Sequence, residues 1–348
     1  MKHTARNQTI YDSARVELKQ EMPLQGPILV HLETTNRCNF KCTFCPESLE
    51  NYREQAGGLF QLSNEDYERV IDQLSEMPQT VKMLNLFTMG EPLMNKNIFG
   101  QVAYARKKLP QTLIVMSSNG ALLTEKKYEA ACKSGLDKLR ISIFGHDDVT
   151  HRTNTQKNVP LDTIRENVKG FVEYRDQNGY HNPEVYVKTI ESPNKTDNEA
   201  FFNYFQGVAD KTVIEGLSNW NDDSAQFSQT LSVDMEALTS SEYYSQKKYV
   251  CPYPFYSFVV HSDLKVSVCC IDWNKKTVIG DLSKNSVEEV WNGKPLLEFQ
   301  TLHLKREKHK ISACKNCVYH HTLRDNIDDV SPEDFLKKRN TRPIVNVC

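Results

Sequence analysis

The chain has 348 residues, 43 of them basic and 45 acidic, with a formal charge of −2. That length suits one large α/β barrel with a small appendage, or two ordinary domains, and the even charge balance excludes a global pull toward nucleic acid or membrane. The polar N-terminus has no apolar core segment and no apolar run approaches a bilayer span. This reads as a cytoplasmic protein whose ten cysteines stay reduced and serve metal or catalysis before disulfides.

Residues 1–26 form an N-terminal extension. The stretch ILVHLE (Ile28–Glu33) then reads as a buried strand. Ser63–Met77 reads as a helix, with Ser63 as its cap and Tyr67, Val70, Ile71 and Leu74 on one face. Thr80–Phe87 and Thr112–Ser118 read as strands. A helix follows from about Thr124 and stops at Gly135. Lys138–Phe144 is the next strand. A helix from about Asp162 turns Ile164, Val168, Phe171 and Val172 to one side. Glu184–Ile190 and Thr212–Leu217 supply two more strands, with an aromatic helix around Phe201–Phe205 between them. This rhythm predicts an α/β fold over residues 27–220: six βα units whose right-handed crossovers curl a parallel sheet into a partial (β/α)6 TIM-like barrel. Active sites of such barrels lie at the C-terminal ends of the strands.

The rhythm breaks after about Asn219, and residues 221–250 read as a linker. Residues 251–325 form a small C-terminal cysteine-rich domain. Within it YSFVVHSDLKVSVCC reads as a hairpin turning at Ser262–Asp263, and Ser286–Gly293 as a short helix. The tail, 326–348, is charged and expected to be loosely held.

The thiols cluster. Cys38, Cys42 and Cys45 follow the first strand with x3 and x2 spacing, where a barrel places catalytic loops. Three thiolates at this spacing suit an iron–sulfur cube with one iron left open for a small molecule. Zinc is the competitor, although structural zinc usually takes four ligands in paired spacings. Later, Cys251-x17-Cys269-x44-Cys314-x2-Cys317 supplies four ligands. Four thiolates complete either a cube or a zinc site, and spacing alone does not separate them. Cys270 competes with Cys269 for one position. Cys132 reads as a core residue on a helix and Cys348 as a free tail thiol or a hydrogen-atom donor. The basic run His303–Lys310 reads as a solvated helix face, or as an attraction for an anionic substrate or an acidic redox partner. His320 and His321 read as surface histidines, or as extra ligands.

The stretch CNFKCTFC resembles the signature of the radical S-adenosylmethionine superfamily, with Phe44 as the aromatic before the third cysteine. The resemblance covers roughly residues 27–220 and then 251–320. It implies that Cys38, Cys42 and Cys45 hold a [4Fe-4S] cluster that binds S-adenosylmethionine. In TMGEPLM, Gly90, Glu91 and Pro92 resemble the loop that receives the methionine amino group. Ser118 and Asn119 end the third strand, and Ser142 matches a position that often contacts the ribose or carboxylate. The late cysteines resemble a twitch or SPASM extension carrying an auxiliary [4Fe-4S] cluster, with Cys251, Cys269, Cys314 and Cys317 as its ligands. Two departures stand out. Leu264 occupies a usual glycine position, and no cysteines for a second auxiliary cluster follow Cys317. The spacing resembles that of aminocyclitol dehydrogenases.

The expected reaction is therefore oxidation of a small polar carbohydrate or aminocyclitol, or its epimerisation. An electron donor such as flavodoxin or ferredoxin is the implied partner. Lys188, Glu215 and Asp222 are the candidate bases or substrate contacts. Two alternatives stay open: modification of a ribosomally made peptide, which the short N-terminal extension disfavours, and a non-enzymatic metal-binding or electron-transfer protein.

Overall fold

The computed structural model describes residues 16–215, 248–317 and 319–339. The first part runs α1 (Leu18–Glu21), β1 (Leu29–Leu32), α2 (Tyr52–Gln55), α3 (Asn64–Glu76), β2 (Met83–Asn85), α4 (Ile98–Lys108) and β3 (Leu113–Ser118). It continues with α5 (Glu125–Lys133), β4 (Lys138–Ser142), α6 (Asp148–Thr155), α7 (Leu161–Gln177), β5 (Glu184–Ile190), α8 (Lys195–Phe205) and β6 (Lys211–Glu215). The C-terminal part holds β7 (Ser257–Val260), β8 (Lys265–Ser267), β9 (Val278–Asp281), α9 (Val287–Trp291), α10 (Lys294–Leu304) and α11 (Pro332–Arg339). Among the described residues no helix is long and apolar enough to cross a membrane.

The six barrel strands pair in parallel in chain order, as the βα rhythm predicts. Local signals place the helices. Ser63 accepts from the Asp66 amide at 3.0 Å and caps α3, and Tyr67, Val70, Ile71 and Leu74 are buried beneath it. Ser286 and Glu289 close a reciprocal capping box on α9. Gly135 ends the α5 turn with a φ of 81°. Helices α1, α2, α4, α6, α10 and α11 and strand β9 have no counterpart in the sequence reading.

The strands present two unlike faces. Val30, Leu84, Ile114, Leu139, Ile141, Val185 and Val187 are fully buried in one apolar core under the helices. Strand residues alternate between faces, so the opposite, inner face carries His31, Asn85, Ser117, Arg140, Ser142, Lys188 and Glu215. A polar inner face suits a binding chamber.

The C-terminal region is not a separate sheet. Strand β7 pairs in parallel with β1, and β8 and β9 extend the same sheet antiparallel, giving nine strands in the order β6-β5-β4-β3-β2-β1-β7-β8-β9. The hairpin forms where expected. The tail differs from expectation over its described part: Ile327 and Phe335 are buried, and the Phe335 ring meets Phe255 edge-on at 5.5 Å. Burying such a ring contributes about 2 kcal/mol. The end of the N-terminal extension also packs down, with Leu18, Met22 and Leu24 buried and the Leu24 carbonyl accepting from Trp291 Nε1.

Leu264, the departure from glycine, has a φ of 67°. Its backbone therefore holds a conformation that costs an L-residue about 1 kcal/mol, while its side chain is buried. Thermal unfolding should rank Leu264→Gly above Leu264→Ala. Both lose about 2 kcal/mol of burial, and only glycine relieves the strain. The reverse order would show that the turn is not held left-handed.

Candidate active site

The early thiols lie on the loop that leaves β1. Its backbone is pinned to the end of α6: Lys41 N donates to Thr155 O at 3.1 Å and Thr43 N to Asn154 O at 2.8 Å. Asn119, after β3, reaches across from its side-chain amide to Asn39 Oδ1 at 2.7 Å. Phe44 packs on Phe144, beyond β4, with ring centroids 4.5 Å apart. The loop is thus held from β3 and β4 as well as from β1.

Gly90 makes the next contact possible. Its φ is 76°, and a Cβ there would stand 2.4 Å from the Thr35 carbonyl oxygen and 2.9 Å from that of Arg37. Only glycine lets the β2 loop lie on the cysteine loop. Glu91 N then donates to Arg37 O at 2.8 Å. The Glu91 side chain is buried. Its carboxylate accepts from Leu93 N at 2.9 Å and from Asn119 N at 2.7 Å. Burial raises its pKa, and these hydrogen bonds oppose the rise. Glu91 is therefore a buried strut between the β2 and β3 loops, not an ordinary turn residue. Pro92 opens a short turn, Pro92–Met94. Ser118 Oγ accepts from Gly120 N, and Ser142 Oγ lies 3.4 Å from Ser117 Oγ.

Deeper on the inner face, Glu215 binds two cations. Lys188 Nζ lies 2.7 Å from its carboxylate and Arg140 Nη2 lies 3.2 Å away. The Arg140 guanidinium also sits over the Phe87 ring at 5.3 Å. Burial works to raise Glu215, but Lys188 and Arg140 together hold it below its ordinary range. Burial, aided by the Arg140 charge, holds Lys188 below the ordinary lysine range against the pull of Glu215. Asp222 and Cys348 lie outside the described residues, as does most of the linker. Arg140 is the residue the sequence reading missed. Its signal was present: in KLRIS it alternates with Ser142 and so shares the inner face.

The late thiols gather beside the hairpin. Burial pushes the Cys251 thiol up, and nearby Cys317 and Cys314 add to that. Cys269 feels Cys251 and Cys317 as well as its neighbour Cys270. Cys270 stands beside Cys269 and hydrogen-bonds with it; its sulfur also accepts from the Tyr253 hydroxyl at 3.3 Å and lies 4.0 Å from that of Tyr319. Tyr253 in turn meets His31 Nε2 at 2.8 Å, which connects this corner to the inner face. His320, expected at the surface, is buried with Nε2 3.0 Å from the Lys248 carbonyl. Lys308 Nζ lies 3.4 Å from the same nitrogen, and the His321 ring packs 4.0 Å from its ring. Cys132 is buried in the core on α5, as expected.

A second link was also missed. Glu33, buried at the end of β1, accepts from Met89 N at 3.2 Å and the Thr88 hydroxyl on one oxygen. Its other oxygen accepts from Ser262 N at 3.1 Å and Ser262 Oγ at 2.7 Å. One carboxylate thus ties β1, the β2 loop and the hairpin turn together.

The early donors fit an iron–sulfur cluster. Burial raises all three thiols, Cys38 to about 12, and the neighbouring thiols add to it for Cys42 and Cys45. Such thiols ionise together only when a cationic centre takes them. Among the described residues no three His, Cys, Asp or Glu side chains converge on a single-ion site. A cube does not ask for that, since each thiolate binds a different corner iron.

Comparison with known proteins agrees. Residues 32–190 match the Radical SAM superfamily and residues 251–318 an iron-sulfur cluster-binding domain. A tungsten-containing aldehyde ferredoxin oxidoreductase cofactor-modifying protein of Pyrococcus furiosus is 25% identical over 166 residues, 46% of this chain and 43% of that protein. The match thus spans less than half of that relative's length. The S-adenosyl-L-methionine-dependent 2-deoxy-scyllo-inosamine dehydrogenase of Niallia circulans is 20% identical over 289 residues, 83% of this chain and 92% of that enzyme. The crystal structure of BtrN in complex with AdoMet and 2-DOIA aligns over 88% of this chain and 97% of that one, with a TM-score of 0.53 and 17% identity, which shows a shared fold. The two matched domains imply S-adenosylmethionine as cofactor, one [4Fe-4S] cluster that binds it and an auxiliary [4Fe-4S] cluster. The chain carries the domain of the radical SAM superfamily and, C-terminal to it, a SPASM-like cluster module.

Proposed function

We propose that the protein oxidises an alcohol carbon of a small carbohydrate or aminocyclitol to a ketone. The observation that carries this is the polar inner face, which holds an ion-bound Arg140–Glu215–Lys188 group, in a chain that aligns with nearly all of an aminocyclitol dehydrogenase. Cys38, Cys42 and Cys45 would hold the cluster that binds S-adenosylmethionine, and Cys251, Cys269, Cys314 and Cys317 the auxiliary one. When bound, these cofactors would supply hydrogen-atom abstraction and a one-electron acceptor.

The chain's own part is binding and proton transfer. Gly90, Glu91, Pro92, Ser118, Asn119 and Ser142 shape the cofactor end of the chamber, with Phe44 bracing the cysteine loop. Arg140 and Glu215 orient substrate hydroxyl or amino groups. Lys188, eased toward its neutral form by burial, takes the hydroxyl proton.

Anaerobically reconstituted enzyme, offered a panel of aminocyclitols and sugars, should form 5′-deoxyadenosine together with a product lacking two hydrogens. Formation of 5′-deoxyadenosine with no oxidised product from any of them would sink the reading. Epimerisation is the second reading, favoured by the Cys270 thiol beside two tyrosines. It would give an isomer of the substrate that carries deuterium when the reaction runs in D2O.

Lys188→Met should lower ketone formation by about 10²-fold or more, the usual worth of a positioned acid–base group. Native kcat/KM should rise with pH through a midpoint below 10.5, the ordinary lysine value. Lys188→Met should lose that limb.

A further inference from the structure

The basic run His303–Lys310 does not behave as one solvated face. Helix α10 ends at Leu304, and residues Lys308–Lys310 form a single tight turn. Lys305, Arg306, His309 and Lys310 are exposed, whereas Lys308 is partly buried. Its Nζ donates to the Cys317 carbonyl oxygen at 2.8 Å and lies 3.4 Å from His320 Nε2. Lys310, two residues on, pairs with Glu307. The charges that act on the Lys308 ammonium are instead the thiol positions of Cys317, Cys251 and Cys314, which pull it toward its charged form against burial. One cation is therefore held by its own hydrogen bond beside three of the four auxiliary ligands.

A cube held by four thiolates carries net negative charge, and an added electron makes it more negative. A fixed positive charge nearby, in a partly dry setting, favours the reduced form. Cluster potentials respond to net charge, hydrogen bonding and exposure in this way. We infer that Lys308 raises the reduction potential of the auxiliary cluster and so sets its capacity to accept the substrate's electron. The inference rests on the auxiliary cluster and on the proposed oxidation only for its purpose.

The test is an EPR-monitored redox titration of the full-length holoenzyme without substrate. The auxiliary signal is the one that S-adenosylmethionine does not perturb. In Lys308→Met, with native iron content, one-electron reduction should weaken at least tenfold, which is 59 mV. Lys308→Arg should stay near native. Lys308→Gln, which keeps a donor for the Cys317 carbonyl but no charge, should fall as Lys308→Met does. It also decides the matter should the methionine variant fail to load iron. An unmoved potential in a fully loaded Lys308→Met or Lys308→Gln overturns the inference. So does a native potential restored by glutamine alone, which would assign the effect to the hydrogen bond. Zinc in the late site would overturn it together with the cofactor assignment. A failed search for substrate would touch only the proposed reaction, because this titration needs no substrate.

Discussion

Cys42→Ala should abolish reductive cleavage of S-adenosylmethionine and roughly halve the iron, from about eight atoms per chain to about four. Cys42 is the most buried of the three early thiols, at 8% exposure, and Cys38 and Cys45 flank it on the same short loop. A cube held by three thiolates has no ligand to spare. Removing one leaves two protein bonds and two open irons, and such a cluster is lost to solvent. The late site would stand on its own four cysteines, so its iron should remain. The substitution itself is small, and the loop keeps its backbone bonds to Asn154 and Thr155. Unfolding should therefore change little while chemistry disappears. Iron and sulfide analysis, with chromatography of 5′-deoxyadenosine, reads both arms. Native iron content in the alanine variant would show that this loop does not hold the cluster.

The second large effect is expected at Glu91. Its two oxygens each accept a backbone N–H, from Leu93 and Asn119, and the side chain is only 2% exposed. Glu91→Ala strands both donors in the interior, at about 1–3 kcal/mol each. Thermal unfolding should fall by about 5–10 °C. Loss of the strut frees the β2 loop from β3 at the place where the cofactor's amino group is expected, so affinity for S-adenosylmethionine should fall as well. Glu91→Gln is the informative partner. It keeps one acceptor oxygen but turns an N–H2 toward a second donor, so it should fall between native and alanine. Calorimetry and equilibrium binding of S-adenosylmethionine measure the pair. An alanine variant with native unfolding would mean that the two amides find other partners, and the strut would be discarded.

Much of this was legible in the chain itself. The early cysteine triad and the Cys314–Cys317 pair lie at short spacings, and such spacings survive any folding. Strand β5 matched its predicted span because it is a β-rich run with a turn at either side. Helix α3 was legible because its cap and its apolar stripe are local. Helix α6 was harder: its sequence, DVTHRTNT, carries little apolar periodicity. What anchors it is the Asp147 capping box and the contacts it makes with the cysteine loop.

Sequence alone thus determined the superfamily, the barrel rhythm and the early cysteine triad, since each depends on residues near one another along the chain. Only the tertiary structure decided that the auxiliary hairpin extends the barrel sheet, that Glu33 clasps Ser262 across 229 residues, and that Lys308 turns in toward the thiols. Those pairings are chosen by which faces must be buried and which charges must be met once distant segments share the same space. No local pattern carries that information.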